Sequence, residues 1–175
     1  TLRSESRDAH QNVYEKLCGV PHMLRYTNDM IEKLKSLFQK YPNMNEVERF
    51  FFSVIDTLPV RNDQTISFPP ILLEGSPGCG KTSFAMELGK IIAEKNHLKI
   101  ELSNGVVNFT IAGSDRGFNN SETGIILKAM YSDGFSPVKN PLIILDEIDK
   151  CQSDTYASES VFHTLLEKRS AKVFT

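Results

Sequence analysis

The sequence predicts an α/β protein: a mostly parallel sheet covered by helices on both faces, preceded by a small N-terminal helical segment. Three observations carry that expectation. Up to about residue 64 the apolar residues recur at helical spacing. After Pro69-Pro70 the pattern changes to short apolar runs alternating with helical stretches, as strands joined by crossover helices require. A glycine-rich loop then falls between a predicted strand and a predicted helix.

At 175 residues the chain is the size of one ordinary domain and can bury a real core. Hydrophobic content of 40% and charged content of 24% exclude a disordered or fibrous class. A net charge of −2 gives no general electrostatic reason to bind nucleic acid or an anionic membrane. The three cysteines, Cys18, Cys79 and Cys151, form no C-x-x-C pair, which argues against a disulfide framework or a zinc site and for a reducing compartment. No apolar run approaches the roughly 20 residues a membrane span needs, and the polar start lacks the apolar stretch of a signal peptide. A soluble, cytoplasmic protein is expected. The chain starts without Met and ends on Val173-Phe174-Thr175, as a piece of a longer protein would.

Residues 8–18 are weakly amphipathic, with Val13, Tyr14 and Leu17 on one side, and Gly19 and Pro21 close that helix. Met30, Ile31, Leu34, Leu37 and Phe38 predict a second helix after Asp29, with Glu32 completing a capping box and Pro42 ending it. Val47, Phe50, Phe51, Val54, Ile55 and Leu58 predict a third helix after Asn45, with a broad apolar face. Pro59 and the polar run 61–64 read as a linker. Ile71-Leu72-Leu73 is the first predicted strand, and residues 81–94 form a helix with Phe84, Leu88, Ile91 and Ile92 as its buried stripe. Residues 98–102 and 106–111 both look like strands, with Asn104-Gly105 a good hairpin turn between them. A hairpin insert and a single sheet strand followed by a loop are both compatible with that stretch. Residues 121–131 predict a helix, 142–145 a buried strand, and 156–168 a last helix.

Gly75-Ser76-Pro77-Gly78-Cys79-Gly80-Lys81-Thr82 matches G-x-x-x-x-G-K-[ST] in the strand-to-helix context that a phosphate-binding loop requires. Glycines let such a loop turn its N–H groups inward as a nest at the positive end of a helix. Lys81 adds a point charge for the β- and γ-phosphates, Thr82 offers a hydroxyl to magnesium, and Ser83 follows in the first helical turn. Asp146 and Glu147 are consecutive carboxylates at the end of a buried apolar strand, a costly place for charge unless a cation or polar network uses it. Ligands sit at the carboxyl ends of strands in open α/β sheets, so Asp146 and the loop can converge although far apart in sequence. Asp146 would then hold magnesium through water, and Glu147 would orient the attacking water. Asp149 and Lys150 read as solvated or supporting residues, Cys79 as a small residue fitting a tight loop, and the four histidines as surface or packing residues.

These two segments, Gly75 to Thr82 and Leu-Ile-Ile-Leu-Asp-Glu-Ile-Asp-Lys from Leu142 to Lys150, resemble the Walker A and Walker B segments of the AAA+ ATPases. Within that superfamily they are similar to the ATPase module of Lon protease and to bacterial Lon-like AAA ATPases. Residues 124–130, Asn140-Pro141 and Leu165-Leu166-Glu167 stand in similar order and spacing. The resemblance covers residues 68–175 well and the upstream helices weakly. It implies a P-loop NTPase αβα sandwich that binds ATP or ADP with Mg2+ and works in a homo-oligomeric ring, usually a hexamer, remodelling or threading a protein substrate. The implied organisation is an N-terminal helical segment, 1–64, and the large αβα nucleotide-binding subdomain, 65–175, cut before the sensor-1 strand and the lid. Catalytic roles would fall to Lys81 and Glu147, and metal binding to Thr82 and Asp146. Phe118 occupies the place of the aromatic that contacts the threaded polypeptide, but Asn119-Asn120 follow where the family has an aliphatic residue and glycine. An aromatic anchoring its loop to the core is an equal alternative for Phe118.

With no arginine finger or sensor residues following Thr175, hydrolysis by this stretch alone is expected to be weak or absent. Two other readings share the same motifs: a nucleotide-gated protein-interaction module with little hydrolysis, and a DNA-handling AAA+ ATPase, which the acidic composition disfavours. The choice of adenine over guanine rests on the resemblance alone.

Overall fold

The computed structural model describes residues 22–60, 64–102, 129–130 and 137–150. The expected helices at 8–18 and 156–168, the strand at 106–111, most of the helix at 121–131, and Phe118 lie outside these residues.

Helix α1 (Asn28–Lys40) forms on the expected stripe, burying Leu34, Leu37 and Phe38. Its cap differs from the expected box. Thr27, in extended backbone, accepts the Met30 N–H at 3.2 Å, and Asp29 and Glu32 instead lie inside the helix, pairing with Lys33 and Lys35 at 2.6 and 2.8 Å. A hydroxyl three residues ahead of a free N–H satisfies it directly, which leaves Asp29 in the first turn where the helix dipole favours an acid. A 3-10 turn, Pro42–Met44, leads into α2 (Asn45–Asp56). Phe51 of α2 is fully buried, and Val47, Phe50, Val54 and Ile55 pack beside it, so the broad apolar face is present.

The predicted strand Ile71-Leu72-Leu73 is a partial correction. Exposure alternates along it as in a strand, with Leu72 67% exposed and its two neighbours turned toward the core. No ladder pairs it among the described residues, and a strand exists only with a partner for its N–H and C=O groups.

Helix α3 (Lys81–Ala93) buries Phe84, Leu88, Gly89, Ile92 and Ala93, the predicted stripe with Ile91 at its margin. It packs on two strands, β1 (His97–Glu101) and β2 (Leu142–Asp146). These are parallel, with Lys99 opposite Ile144 and Glu101 opposite Asp146. That pairing makes the 98–102 stretch a strand of the parallel sheet, while its expected hairpin partner at 106–111 lies outside the described residues. Together the helices and the parallel pair give the α/β fold expected.

One core joins the N-terminal helices to α3, with Leu142 of β2 packed against it. Leu34, Phe38, Met44 and Phe51 from the N-terminal helices join Phe84, Leu88 and Ile92 of α3 in a single cluster. The Phe38 ring lies 6.2 Å from that of Phe51 and 5.7 Å from that of Phe84. Residues 22–26 run between two other segments. Tyr26 N–H donates to Gln64 O and Ile66 N–H to Leu24 O, each at 2.9 Å, while His22 exchanges backbone bonds with Pro137 and Lys139, each at 3.0 Å. Asn140 spans both sides: its Oδ1 accepts the Leu24 N–H at 2.7 Å, and its Nδ2 donates to Leu24 O and Ile66 O at 3.2 and 2.9 Å.

Candidate functional site

The 75–80 loop can make its turn because glycine stands where the backbone enters the left-handed region. Gly78 has φ 78° and Gly80 φ 89°, conformations that a Cβ penalises. Gly80 is also the residue from which α3 starts, and no side chain caps that helix. The first-turn N–H groups of α3, a helix of 13 residues, therefore face the loop at its positive end.

Lys81 folds back over this loop. Its ammonium donates to Gly75 O at 2.7 Å and Ser76 O at 3.0 Å, and passes 3.7 Å from Cys79 Sγ. Cys79 is partly buried and its sulfur lies against Gly75, where a Cβ would meet it at 3.2 Å. It fits as the small residue of a tight turn. Ser83 is exposed on the first turn of α3, and Pro77 is exposed on the loop.

Thr82 and Asp146 meet, although 64 residues apart: the hydroxyl lies 3.1 Å from Oδ1 and 3.2 Å from Oδ2. The Glu147 backbone N–H also donates to Asp146 Oδ1 at 3.1 Å. Lys99, absent from the sequence reading, donates to Asp146 Oδ2 at 2.9 Å and to Glu101 Oε1 at 2.8 Å. The Lys99 ammonium is the chief cause holding the Asp146 carboxyl below the usual carboxylate range; burial works against it and the Thr82 hydroxyl adds to it. Lys99 is in turn pushed up, first by Glu101 and then by Asp146. The signal that would have found Lys99 is strand register, since only the pairing of β1 with β2 brings it to the carboxylate.

Glu147 follows β2 with φ 57°, a left-handed conformation that a non-glycine residue adopts at a cost. Its carboxylate pairs with Lys150, so Lys150 supports Glu147 directly. Asp149 shares the short 3-10 turn Ile148–Lys150.

The N-terminal helical segment also touches the loop, a contact between distant residues that no local pattern marks. Asn43 Nδ2 donates to Cys79 O at 3.0 Å, and the Tyr41 ring is 3.5 Å from where a Gly80 Cβ would stand. Tyr41 OH donates to Glu87 Oε1 at 2.8 Å, and Lys40 closes on the same carboxylate at 2.7 Å. The donor set suits a nucleotide triphosphate with magnesium: a hydroxyl and an ionised carboxylate in contact, a lysine, and uncapped helical N–H groups on one loop.

Comparison with known proteins agrees with this geometry. The family model described as AAA domain (dynein-related subfamily) matches residues 70–173, more than half of the chain. Lon protease of Mesomycoplasma hyopneumoniae is 39% identical over 95 residues, 54% of this chain and 10% of that protein. Lon protease of Escherichia coli is 34% identical over 109 residues, covering 62% and 13% respectively. A protein named Lon protease homolog 2, peroxisomal, from Kluyveromyces lactis is 34% identical over 122 residues, covering 69% and 11%. The chain thus spans about a tenth of the length of these curated relatives. With a glycine-rich loop, a converging strand-end aspartate and a family match over most of the α/β portion, this chain belongs to the AAA domain family and resembles the Lon proteases within it.

Proposed function

We propose that this chain binds ATP with magnesium at the 75–82 loop, as the nucleotide-binding part of a Lon-like ATPase ring that remodels or unfolds a protein substrate. The observation that carries the reading is the contact of Thr82 with Asp146 beside Lys81. Gly75 to Gly80 and the first turn of α3 through Ser83 would receive the phosphates, with Lys81 leaving the Gly75 and Ser76 carbonyls to neutralise them. Thr82 and Asp146 would hold the magnesium ion, which when bound neutralises charge on the phosphate oxygens. Glu147 would orient the attacking water, its backbone strain fixing the carboxylate at the strand end. Hydrolysis by the 175-residue chain alone would be weak, and a reducing, cytoplasm-like compartment suits its cysteines. A homo-hexameric ring and a protein substrate gripped at Phe118 are the finer parts of the proposal.

Calorimetric titration with ATP and ADP, with and without magnesium, tests it against Lys81→Ala. Binding by the wild type that disappears in the variant is expected. Equal binding by both proteins would overturn the assignment of the loop.

The contacts of Asn43 and Tyr41 with the loop favour one further reading, in which nucleotide occupancy gates a protein-binding surface on the N-terminal helices. Loss of partner binding in Lys81→Ala but not in Glu147→Gln would select that reading over a hydrolytic motor.

A further inference from the structure

Lys99 is used by neither the motif nor the mechanism above, yet its contacts are specific. Side chains two apart on a strand share a face, so Lys99 and Glu101 lie on one side of β1. The parallel register sets them across from Ile144 and Asp146 on β2. Thr82 reaches the same carboxylate from α3. Asp146 is thus approached by an ammonium from the sheet and by a hydroxyl from the helix. Three quarters or so of both ion-pair side chains is shielded, with Lys99 26% and Asp146 22% exposed. Glu101, the other carboxylate on Lys99, is far more exposed at 56%.

We infer that Lys99 is a positioning residue that acts as a built-in counter-cation on Asp146 and so sets how much magnesium the bound nucleotide requires. The inference rests on the proposed nucleotide site and deepens it. A fixed positive charge on one carboxylate oxygen holds the side chain in its orientation toward Thr82. It also weakens the pull of that carboxylate on a second cation, because a partly shielded charge is screened less than an exposed one. The ammonium therefore orders the metal-binding carboxylate and raises the magnesium concentration at which the site fills. Glu101 tunes this by sharing the ammonium with Asp146.

The test is calorimetric titration of the 175-residue chain with ATP at a series of free magnesium concentrations, starting from none. In Lys99→Met the magnesium midpoint falls roughly tenfold, as expected for removing one charge a few ångströms from a divalent ion in a wet site. Magnesium-free ATP affinity stays within about twofold, and Lys99→Arg keeps the wild-type midpoint. Glu101→Gln, at an exposed position that folding tolerates, shifts the midpoint the other way, because Lys99 is then left to Asp146 alone. An unchanged or raised midpoint in Lys99→Met overturns the inference, as does an unchanged or lowered one in Glu101→Gln. Those results leave wild-type ATP binding intact, and hence the nucleotide reading with it. Absence of ATP binding by the wild type at every magnesium concentration overturns both.

Discussion

Gly78 and Glu147 occupy the same unfavourable region of backbone space, at φ 78° and 57°, but only one of them is a glycine. Open space surrounds the position of a Gly78 Cβ, so Gly78→Ala costs backbone strain alone, about 1–2 kcal/mol in urea unfolding. Glu147→Gly does the reverse: it relieves the left-handed strain and stabilises the chain by up to about 1 kcal/mol, after the flexibility added to the unfolded state is subtracted. A residue that destabilises its own backbone is retained for its side chain, so the more stable variant is expected to lose any hydrolysis that the assembled protein performs. Destabilisation by Glu147→Gly would show that the turn, and not the carboxylate, fixes this position. At this scale the contact of Thr82 with Asp146 was legible in the sequence, because motif spacing and the strand-end rule together aim both residues at one place. Lys99 was not legible. The stretch that carries it read equally well as a hairpin or a sheet strand, and only the parallel register decides its neighbour.

Among the described elements, the three helices α1 to α3 were legible because an apolar stripe against a core leaves a period of 3.6, as in Phe84, Leu88 and Ile92. The cap of α1 was missed because Thr27 and Asp29 are both acceptable N-caps by type, and the backbone alone selects Thr27. Residues 71–73 show the opposite limit: alternation marks a strand's faces, while its ladder depends on a partner outside the local sequence. The junction of α1 with α3 was invisible too, since Lys40 and Tyr41 meet Glu87 across 47 and 46 residues. This junction has a pH signature. Lys40 and then Tyr41 hold the Glu87 carboxyl below its ordinary value, with burial opposing them. A depressed carboxyl stabilises the fold above the unfolded-state value, and that stabilisation is lost as pH falls through the folded-state value. The stability gap between wild type and Glu87→Gln in urea unfolding is therefore flat near neutrality and closes in the acid range, below the ordinary glutamate value. A gap that widens on acidification would assign the ion pair no part in joining the helices.

For the whole molecule, the change in sequence character near residue 64 separates a helical segment from an α/β portion, yet the packing crosses it. Phe84 is fully buried in the same cluster as Leu34 and Phe51. The backbone of residues 22–26 is bonded on one side to 64–66 and on the other to 137–140, with Asn140 spanning both. A chain beginning at residue 65 would uncover Phe84 where Phe38 of α1 and the adjoining Tyr41 now pack on it, would take Leu34, Leu37, Phe38 and Phe51 out of the shared core, and would strip Asn140 of its partners on Leu24. Losing the cover of one large core side chain alone costs on the order of 3 kcal/mol, against a total stability of about 5–15 kcal/mol for an ordinary domain. The loss of α1 from the face of α3, and of the core side chains that α1 and α2 contribute, therefore exceeds what the remainder can supply. We expect the 175-residue chain to unfold in one cooperative transition when followed by near-ultraviolet and far-ultraviolet circular dichroism, and the shortened chain to show no transition of its own. The same coupling bears on function, because Asn43 and Tyr41 reach the loop only while α1 and α2 are docked. A shortened chain that kept a sharp transition and bound ATP as the whole chain does would show that the α/β portion folds alone and that the helices are an accessory to it.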